Sequence, residues 1–491
     1  MKRYFAAAAL IFFAAQATAA PLGQEIARLI DASPAVRNAF WGIDIVELGS
    51  GKTLYAHNAE RMFIPASNTK LFTVALALDR LGPDFRFQTR VLAETTPDAE
   101  GRIHGAVRLV GGGDPNLSAR AVPYRTGPVT GNPLAAIEEL ADQVVARGVK
   151  RIDGDIMGDD TWYVWEPYPD GWVIDDTRYE YGAPVSALTV NDNIITLTVL
   201  PGARVGDLAE VSSSPVLEYY NLDNRVRTVG VRGPLKIQLD RQPGGRQVRL
   251  WGTIPASFPG ETVELAVDDP AEFAARALRR ALEVRGVAVG GEVGALHRYP
   301  NDENAKPTPE GIELARHESA PLIEDLTITA KVSQNLHAEL ALRAVARARR
   351  SVGSRQTGLD EMKSFLKELG IGQEAYSFND GSGLDRTDLV TPEAIIKLLG
   401  HMYASKAREQ FIALLPIGGL DGTLSERFPN SAATRRIHAK TGTLTHVSAL
   451  SGYVERRDGT WVAFSILVNN HNRAAAEVRS VIDRICTLIV E

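Results

Sequence analysis

A serine and a lysine stand three residues apart in Ser67-Asn68-Thr69-Lys70, just behind Pro65. On a helix, positions i and i+3 share a face, so this spacing can bring the lysine amine to the serine hydroxyl. A serine attacks a carbonyl carbon when a base takes its proton, and a desolvated lysine can be that base. Pro65 predicts the start of a helix that runs to about Leu81 and ends at Gly82-Pro83. In the first turn of such a helix the Ser67 N–H has no intrahelical partner and can point at an oxyanion. Standing alone, the tetrapeptide also reads as an ordinary helix start.

Two further short motifs offer complementary chemistry. Ser333-Gln334-Asn335 follows Lys331; its serine hydroxyl could relay a proton to a leaving amine, and the Asn335 amide could bind a substrate backbone. By itself it is equally a helix cap. Lys440-Thr441-Gly442-Thr443 ends a predicted strand. Gly442 would let a substrate backbone approach closely, Thr441 and Thr443 offer hydroxyls to a carboxylate, and Lys440 adds positive charge.

In this order and context the three motifs resemble the Ser-x-x-Lys, Ser-Asp-Asn and Lys-Thr-Gly signature of penicillin-binding proteins and class A β-lactamases. Gln334 replaces the middle aspartate, while the serine and asparagine are kept. The stretch between Ser67 and Ser333 is far longer than in compact β-lactamases. It resembles that of the class C low-molecular-mass penicillin-binding proteins, the D-alanyl-D-alanine carboxypeptidase/endopeptidase family. Matching pieces are Gly111 to Pro115, Gly171-Trp172, Tyr181 to Pro184, Lys331 to Glu339, Asn379 to Leu384, Leu415 to Ile417 and Asp421 to Leu424.

The resemblance implies roles. Ser67 would be the acylated nucleophile, Lys70 its base, Ser333 the proton relay and Asn335 the holder of the substrate amide. Lys440, Thr441, Gly442 and Thr443 would bind the terminal carboxylate side, with the N–H groups of Ser67 and Thr443 as the oxyanion hole. Asp159 would reach the free amine of the stem-peptide side chain, and Arg386 would border the same pocket. Asp385 and His446 depart from the family pattern, where a serine and a small residue are usual. Both bear on substrate preference rather than on the catalytic side chains.

The elements that must position these groups divide the chain unevenly. Strands are expected at Trp41 to Glu47 and from Thr53 to Tyr55, and again near the end at Arg436 to Thr443, Val447 to Glu455 and Thr460 to Val468. Helices are expected over Leu336 to Arg347, Leu359 to Leu369, Pro392 to Tyr403 and Ala474 to Val490. Between about Phe85 and His317 short β-like runs alternate with Gly, Pro, Asp and Asn turns, interrupted by helical patterns at Pro133 to Arg147 and Pro270 to Arg285. The expected fold is an α/β penicillin-binding, DD-peptidase/β-lactamase-like domain with an antiparallel sheet and a helical cluster, carrying a large, mostly β insertion. Residues 20–90 and 318–491 would form the catalytic domain, 91–190 and 265–317 one insertion domain, and 191–264 another.

Composition narrows the setting. Lys2 and Arg3, an apolar run from Phe5 and Ala17-Thr18-Ala19 read as a secretory signal over residues 1–19, so the mature chain would be periplasmic. No other segment is apolar enough for a bilayer span. The single cysteine, Cys486, rules out an intramolecular disulfide. A formal net charge of −6 without a long basic run argues against nucleic acid as a partner. The expected reaction is acyl transfer from D-Ala-D-Ala ends of peptidoglycan stem peptides to Ser67 and then to water, with no metal or organic cofactor. β-Lactam antibiotics would act as covalent inhibitors. A β-lactamase forms the same acyl-enzyme and differs in how fast water removes a penicilloyl group. A non-catalytic wall-binding protein on the same fold is the other alternative, against which the intact serine, lysine and threonine set argues.

Overall fold

The strands Val447–Glu455 and Trp461–Asn469 are buried at almost every position. Strands covered on both faces read as near-continuous apolar runs. In the computed structural model, which describes residues 22–34, 36–302 and 310–491, they are central in a five-stranded antiparallel sheet. Its order is Ile437–Leu444, Val447–Glu455, Trp461–Asn469, Phe40–Glu47, Thr53–His57. The two-residue alternation of strands sorts the side chains. Leu450, Val454, Phe464 and Ile466 face the helices Leu22–Asp31 and Ala475–Val490. Ala449, Tyr453, Ala463 and Leu467 face a cluster that includes Thr69–Leu81, Leu322–Lys331 and Pro392–Ala404. The first and last segments of the chain thus close one three-layer body.

The chain leaves this body at the strand Gln88–Ala93 and returns at Ile312–Glu318, and these two strands pair with each other, Gln88 opposite Glu318. The interruption expected between about Phe85 and His317 therefore begins and ends at one hydrogen-bonded place. The two strands form one side of a second five-stranded sheet, in the order Val293–Arg298, Ile156–Val164, Val107–Val110, Gln88–Ala93, Ile312–Glu318. The helices Ala135–Ala146 and Pro270–Val284 pack on it. Two further three-stranded sheets, built from strands between Ile194 and Ala266, share its hydrophobic cluster.

The strand Asn221–Val229 lacks a sequence signature because it is mostly solvent-facing, with Val226 and Thr228 its buried positions. The segment 1–19 read as a signal lies outside the described residues. Among the described residues no helix is long and apolar enough to cross a membrane.

Ile466 lies fully buried on a central strand of the catalytic sheet. Ile466→Ala should lower unfolding free energy by about 2–5 kcal/mol, through lost transfer energy and a residual cavity. Urea denaturation followed by near-ultraviolet circular dichroism checks this.

Candidate active site

Ser67 does not sit in an α-helix. It lies in a single 3-10 turn, Ala66–Asn68, and the α-helix starts only at Thr69. Pro65 precedes this turn instead of opening the α-helix. The expectation about spacing nevertheless holds, because a three-residue turn also brings i and i+3 to one side. Lys70 Nζ lies 3.1 Å from Ser67 Oγ. Ala66 has a φ of 48°, an uncommon conformation for a residue with a Cβ.

Lys70 is entirely buried. Its Nζ donates to Asn335 Oδ1 at 2.5 Å and to the Ser382 carbonyl at 2.6 Å. A neutral amine has two N–H bonds and one lone pair, so these two acceptors, neither of which can donate, turn the lone pair toward the Ser67 hydroxyl. Desolvation pulls the Lys70 amine down to about pKa 7, against the opposing charges of Asp380, Glu339 and Asp388. A substantial neutral fraction at physiological pH makes Lys70 a competent base.

The loop from Asn379 to Asp388 builds this environment. The Asp380 carboxylate accepts N–H groups from Ser382, Gly383, Leu384 and Asp385, the Ser382 hydroxyl, and the Trp172 indole at 2.9 Å. Glu339 accepts the Gly381 N–H at 2.6 Å and pairs with Arg343. Thr69 Oγ1 donates to Asp388 Oδ2 at 3.2 Å. Gly383 has a φ of 77°, and a Cβ there would come within 2.0 Å of the Ala66 carbonyl. The Asn379 to Leu384 motif thus supplies the cradle of the base. In the sequence this stretch is only a piece shared with the family, with nothing to indicate which side chain it would hold.

The second and third motifs meet across the cleft. Lys440 Nζ donates to Ser333 Oγ at 2.8 Å and to the Thr441 carbonyl at 2.9 Å. Lys440 is fully buried, and desolvation together with the nearby Lys70 charge pulls its amine well below its ordinary range. Its immediate partner is therefore the Ser333 hydroxyl, while Thr441 and the exposed Thr443 form the accessible part of the strand. Thr441 Oγ1 donates to Thr423 Oγ1 at 2.8 Å, which brings the Asp421 to Leu424 motif to this end. Lys331 ties the same region down through Asp421 Oδ2 at 2.6 Å and the Leu415 carbonyl at 2.7 Å.

Ile437–Leu444 is an edge strand, and its Ala439 N–H donates outward to the Pro416 carbonyl. By the period of two, Thr441 and Thr443 present their backbone groups on the same open edge, available to an extended peptide. A close approach at Gly442 occurs with the turn that carries Ser67. A Cβ on Gly442 would lie 2.7 Å from the Pro65 carbonyl and 3.0 Å from Asn68 Nδ2. Asn68 also donates to the Lys440 carbonyl at 3.2 Å. The buried side of the motif strand is thus the floor on which Ser67 is seated.

The remaining expected residues separate. Arg386 is half-buried on the loop that cradles Lys70. Asp159 lies in the second sheet, 2 % exposed, with its carboxylate accepting Thr161 N and Oγ1 and facing Arg108 at 3.4 Å. Those contacts use it within the insertion, and none joins it to the three motifs. A carboxylate within electrostatic reach of Arg386 is Asp176, which the sequence reading did not single out. It is buried, the Tyr181 hydroxyl lies next to it, and burial raises its pKa against the pull of Arg386. Asp385 turns its carboxylate onto Thr387 N and Oγ1, with Gly171 packed against it. His446 occupies a hairpin turn with a φ of 67°, and its Nδ1 contacts the His471 carbonyl at 2.8 Å.

With this geometry in view, comparison with known proteins is decisive: the profile of the D-Ala-D-Ala carboxypeptidase 3 (S13) family matches residues 22–488. The chain belongs to that family. It is 36% identical over 453 residues, 90% of this chain and 80% of the relative, to a D-alanyl-D-alanine carboxypeptidase of Actinomadura sp. strain R39. It is 25% identical over 428 residues, 86% of this chain and 84% of the relative, to the D-alanyl-D-alanine carboxypeptidase DacB of Haemophilus influenzae. The crystal structure of penicillin-binding protein 4 from H. influenzae superposes with a TM-score of 0.79 at 23% identity, covering 94% of this chain and 98% of that one, and shows the shared fold.

Two measurements follow from the site. Protonation removes the Lys70 lone pair, so the acylation rate should fall as pH drops through about 7 and level off above it; stopped-flow acylation across a pH series gives the curve. Gly442→Ala should displace the Pro65 turn and cut acylation by about tenfold or more, visible as a lower second-order rate constant with a fluorescent penicillin.

Proposed function

We propose that the D-Ala-D-Ala carboxypeptidase activity of this chain proceeds through an acyl-enzyme on Ser67. The observation that carries this reading is the contact between Ser67 Oγ and a buried Lys70 amine whose two other directions are occupied by Asn335 and Ser382. Lys70 takes the hydroxyl proton as Ser67 Oγ bonds to the carbonyl carbon of the penultimate D-alanine. The N–H groups of Ser67 and Thr443 receive the developing oxyanion. The peptide C–N bond then breaks, and the proton taken from Ser67 passes from Lys70 through the Ser333 hydroxyl, which Lys440 holds, to the departing amine. Thr441 and Thr443 hold the terminal carboxylate, and Lys440 braces the same strand through the Thr441 carbonyl. Water subsequently hydrolyses the ester. A β-lactam presents a carbonyl and a carboxylate in a similar relation and would acylate Ser67 by the same route. Action on peptidoglycan stem peptides, including cross-linked ones, and a periplasmic site of action after removal of residues 1–19 complete the reading.

The insertion supplies the recognition of the remote part of the substrate. Its segment Gly171 to Tyr181 packs against the base cradle through Gly171 on Asp385 and Trp172 on Asp380. The buried Asp176 carboxylate, next to the Tyr181 hydroxyl and within electrostatic reach of Arg386, is suited to a free amine at the end of a stem-peptide side chain, the role first expected of Asp159. In domain terms, residues 20–90 and 318–491 act as the catalytic body, with 91–190 and 265–317 as one insertion unit and 191–264 as a second unit on it.

Ser67→Ala should abolish covalent penicillin labelling and leave the melting temperature nearly unchanged; stoichiometric acylation of the variant would contradict the assignment. Asp176→Asn should lower kcat/KM by about tenfold for a peptide with a free side-chain amine, and by little for the same peptide acetylated on that amine. An equal loss on both peptides would make Asp176 a structural residue.

A further inference from the structure

The second motif is gripped from the insertion by a carboxylate that the mechanism does not use. Asn191, Asp192 and Asn193 are three successive residues with positive φ, at 51°, 52° and 57°. Such a run is strained and persists only where its surroundings over-determine it. Here Asn193 Oδ1 accepts the Val190 N–H at 3.2 Å, Asn193 Nδ2 donates to the Pro184 carbonyl at 2.9 Å, and the Asn191 N–H donates to the Leu117 carbonyl at 2.8 Å. The effect of this turn is to carry the Asp192 carboxylate out of the insertion and onto the start of the helix Asn335–Arg350.

There Asp192 meets two side chains of the second motif region. Gln334 Nε2 donates to Asp192 Oδ2 at 3.4 Å, while Gln334 Oε1 caps the helix by accepting the Leu336 N–H at 2.9 Å. One turn on, His337 Nε2 lies 3.1 Å from Asp192 Oδ1, and its Nδ1 lies 2.7 Å from Asp325. Arg120 Nε donates to Asp192 Oδ2 at 2.7 Å from the other side. All of this is buried or nearly so; His337 is 0 % and Asp192 4 % exposed. On the catalytic side, Ser333 itself has a φ of 67°, so the residue that must aim its hydroxyl at Lys440 is held in an unfavourable backbone conformation. Its neighbour Asn335 is anchored to the insertion as well, donating from Nδ2 to the Tyr181 carbonyl at 2.7 Å, which turns its Oδ1 toward Lys70.

We propose that Asp192 is a positioning residue for the acyl-transfer reaction, holding Ser333 and Asn335 in their reactive placement through Gln334 and His337. The same contact accounts for glutamine at position 334. An amide there can donate to Asp192 and cap the helix at once, whereas a carboxylate would face the Asp192 carboxylate in a buried site. The insertion thereby completes the catalytic centre in addition to recognising substrate. The inference rests on the reading of Ser67 as nucleophile and Ser333 as relay.

The test is a charge swap read by acylation with a fluorescent penicillin, each variant assayed well below its own melting temperature. Gln334→Glu keeps the shape of residue 334 and sets two carboxylates against each other, so acylation should slow by about tenfold or more. Adding Asp192→Asn restores a donor and an acceptor in reversed order, and the double variant should return to within about threefold of the parent. Acylation of Gln334→Glu at the parent rate, or a double variant as slow as the single one, overturns the proposal. Gln334→Met, which removes the amide with little change in size, gives a second reading if Gln334→Glu does not fold. On a D-Ala-D-Ala peptide its kcat should drop while KM stays within about twofold, because the carboxylate-binding strand is untouched; an unchanged kcat overturns the proposal. A parent protein that takes up no penicillin would instead defeat the reading of Ser67, which separates the two failures.

Discussion

A lysine side chain with none of its surface in water lies where three distant parts of the chain converge. Removing an ammonium group from water is costly, and the protein offsets the cost in two ways. Carboxylates of Asp380, Glu339 and Asp388 surround the amine at a distance, and Asn335 and Ser382 bond to it directly. Full neutralisation by a contacting carboxylate would keep the amine charged and useless as a base. Complete absence of negative charge would leave it neutral but without orientation. The compromise is an amine near the middle of its titration at physiological pH, with its lone pair directed at Ser67.

Much of the surrounding architecture exists to hold that arrangement. The Asn379 to Asp388 loop is wound around the Asp380 carboxylate, which takes four backbone N–H groups. Gly383 lets that loop press on Ala66, and Gly442 lets the motif strand press on Pro65 from another direction. The nucleophile turn is therefore clamped between a loop and a strand by backbone contacts that leave no room for side chains. Such a clamp is rigid because it depends on steric exclusion rather than on long, mobile side chains.

The insertion is bound into this centre more closely than its position in the chain suggests. Trp172 reaches Asp380, the Tyr181 carbonyl holds Asn335, and Asp192 meets Gln334 and His337. Each contact is buried or partly buried, polar and directed, so that loss of one partner leaves the other desolvated and unpaired. The insertion and the helical cluster should accordingly behave as one cooperative unit around the cleft.

The sequence by itself determined the candidate reacting groups and the fold class that carries them. Serine and lysine at i and i+3, two later motifs carrying hydroxyl, amide and ammonium groups, and strand patterns at Val447 to Glu455 and Thr460 to Val468 are local patterns with local physical meaning. The entry and exit of the insertion were legible for the same reason, as a change of periodicity and turn content near Phe85 and His317. What only the tertiary structure decided was which charged group answers which. Asp159 and Asp176 are both insertion aspartates, yet the fold sets one against Arg108 and brings the other within electrostatic reach of Arg386. Lys440 looked like a direct carboxylate ligand, and burial made it the partner of Ser333. Gly442 also makes room for Pro65, which the motif itself did not signal. Hydrophobic periodicity is written along one strand or helix, whereas the pairing of buried polar groups depends on distances between elements hundreds of residues apart, and those distances are set only when the layers pack.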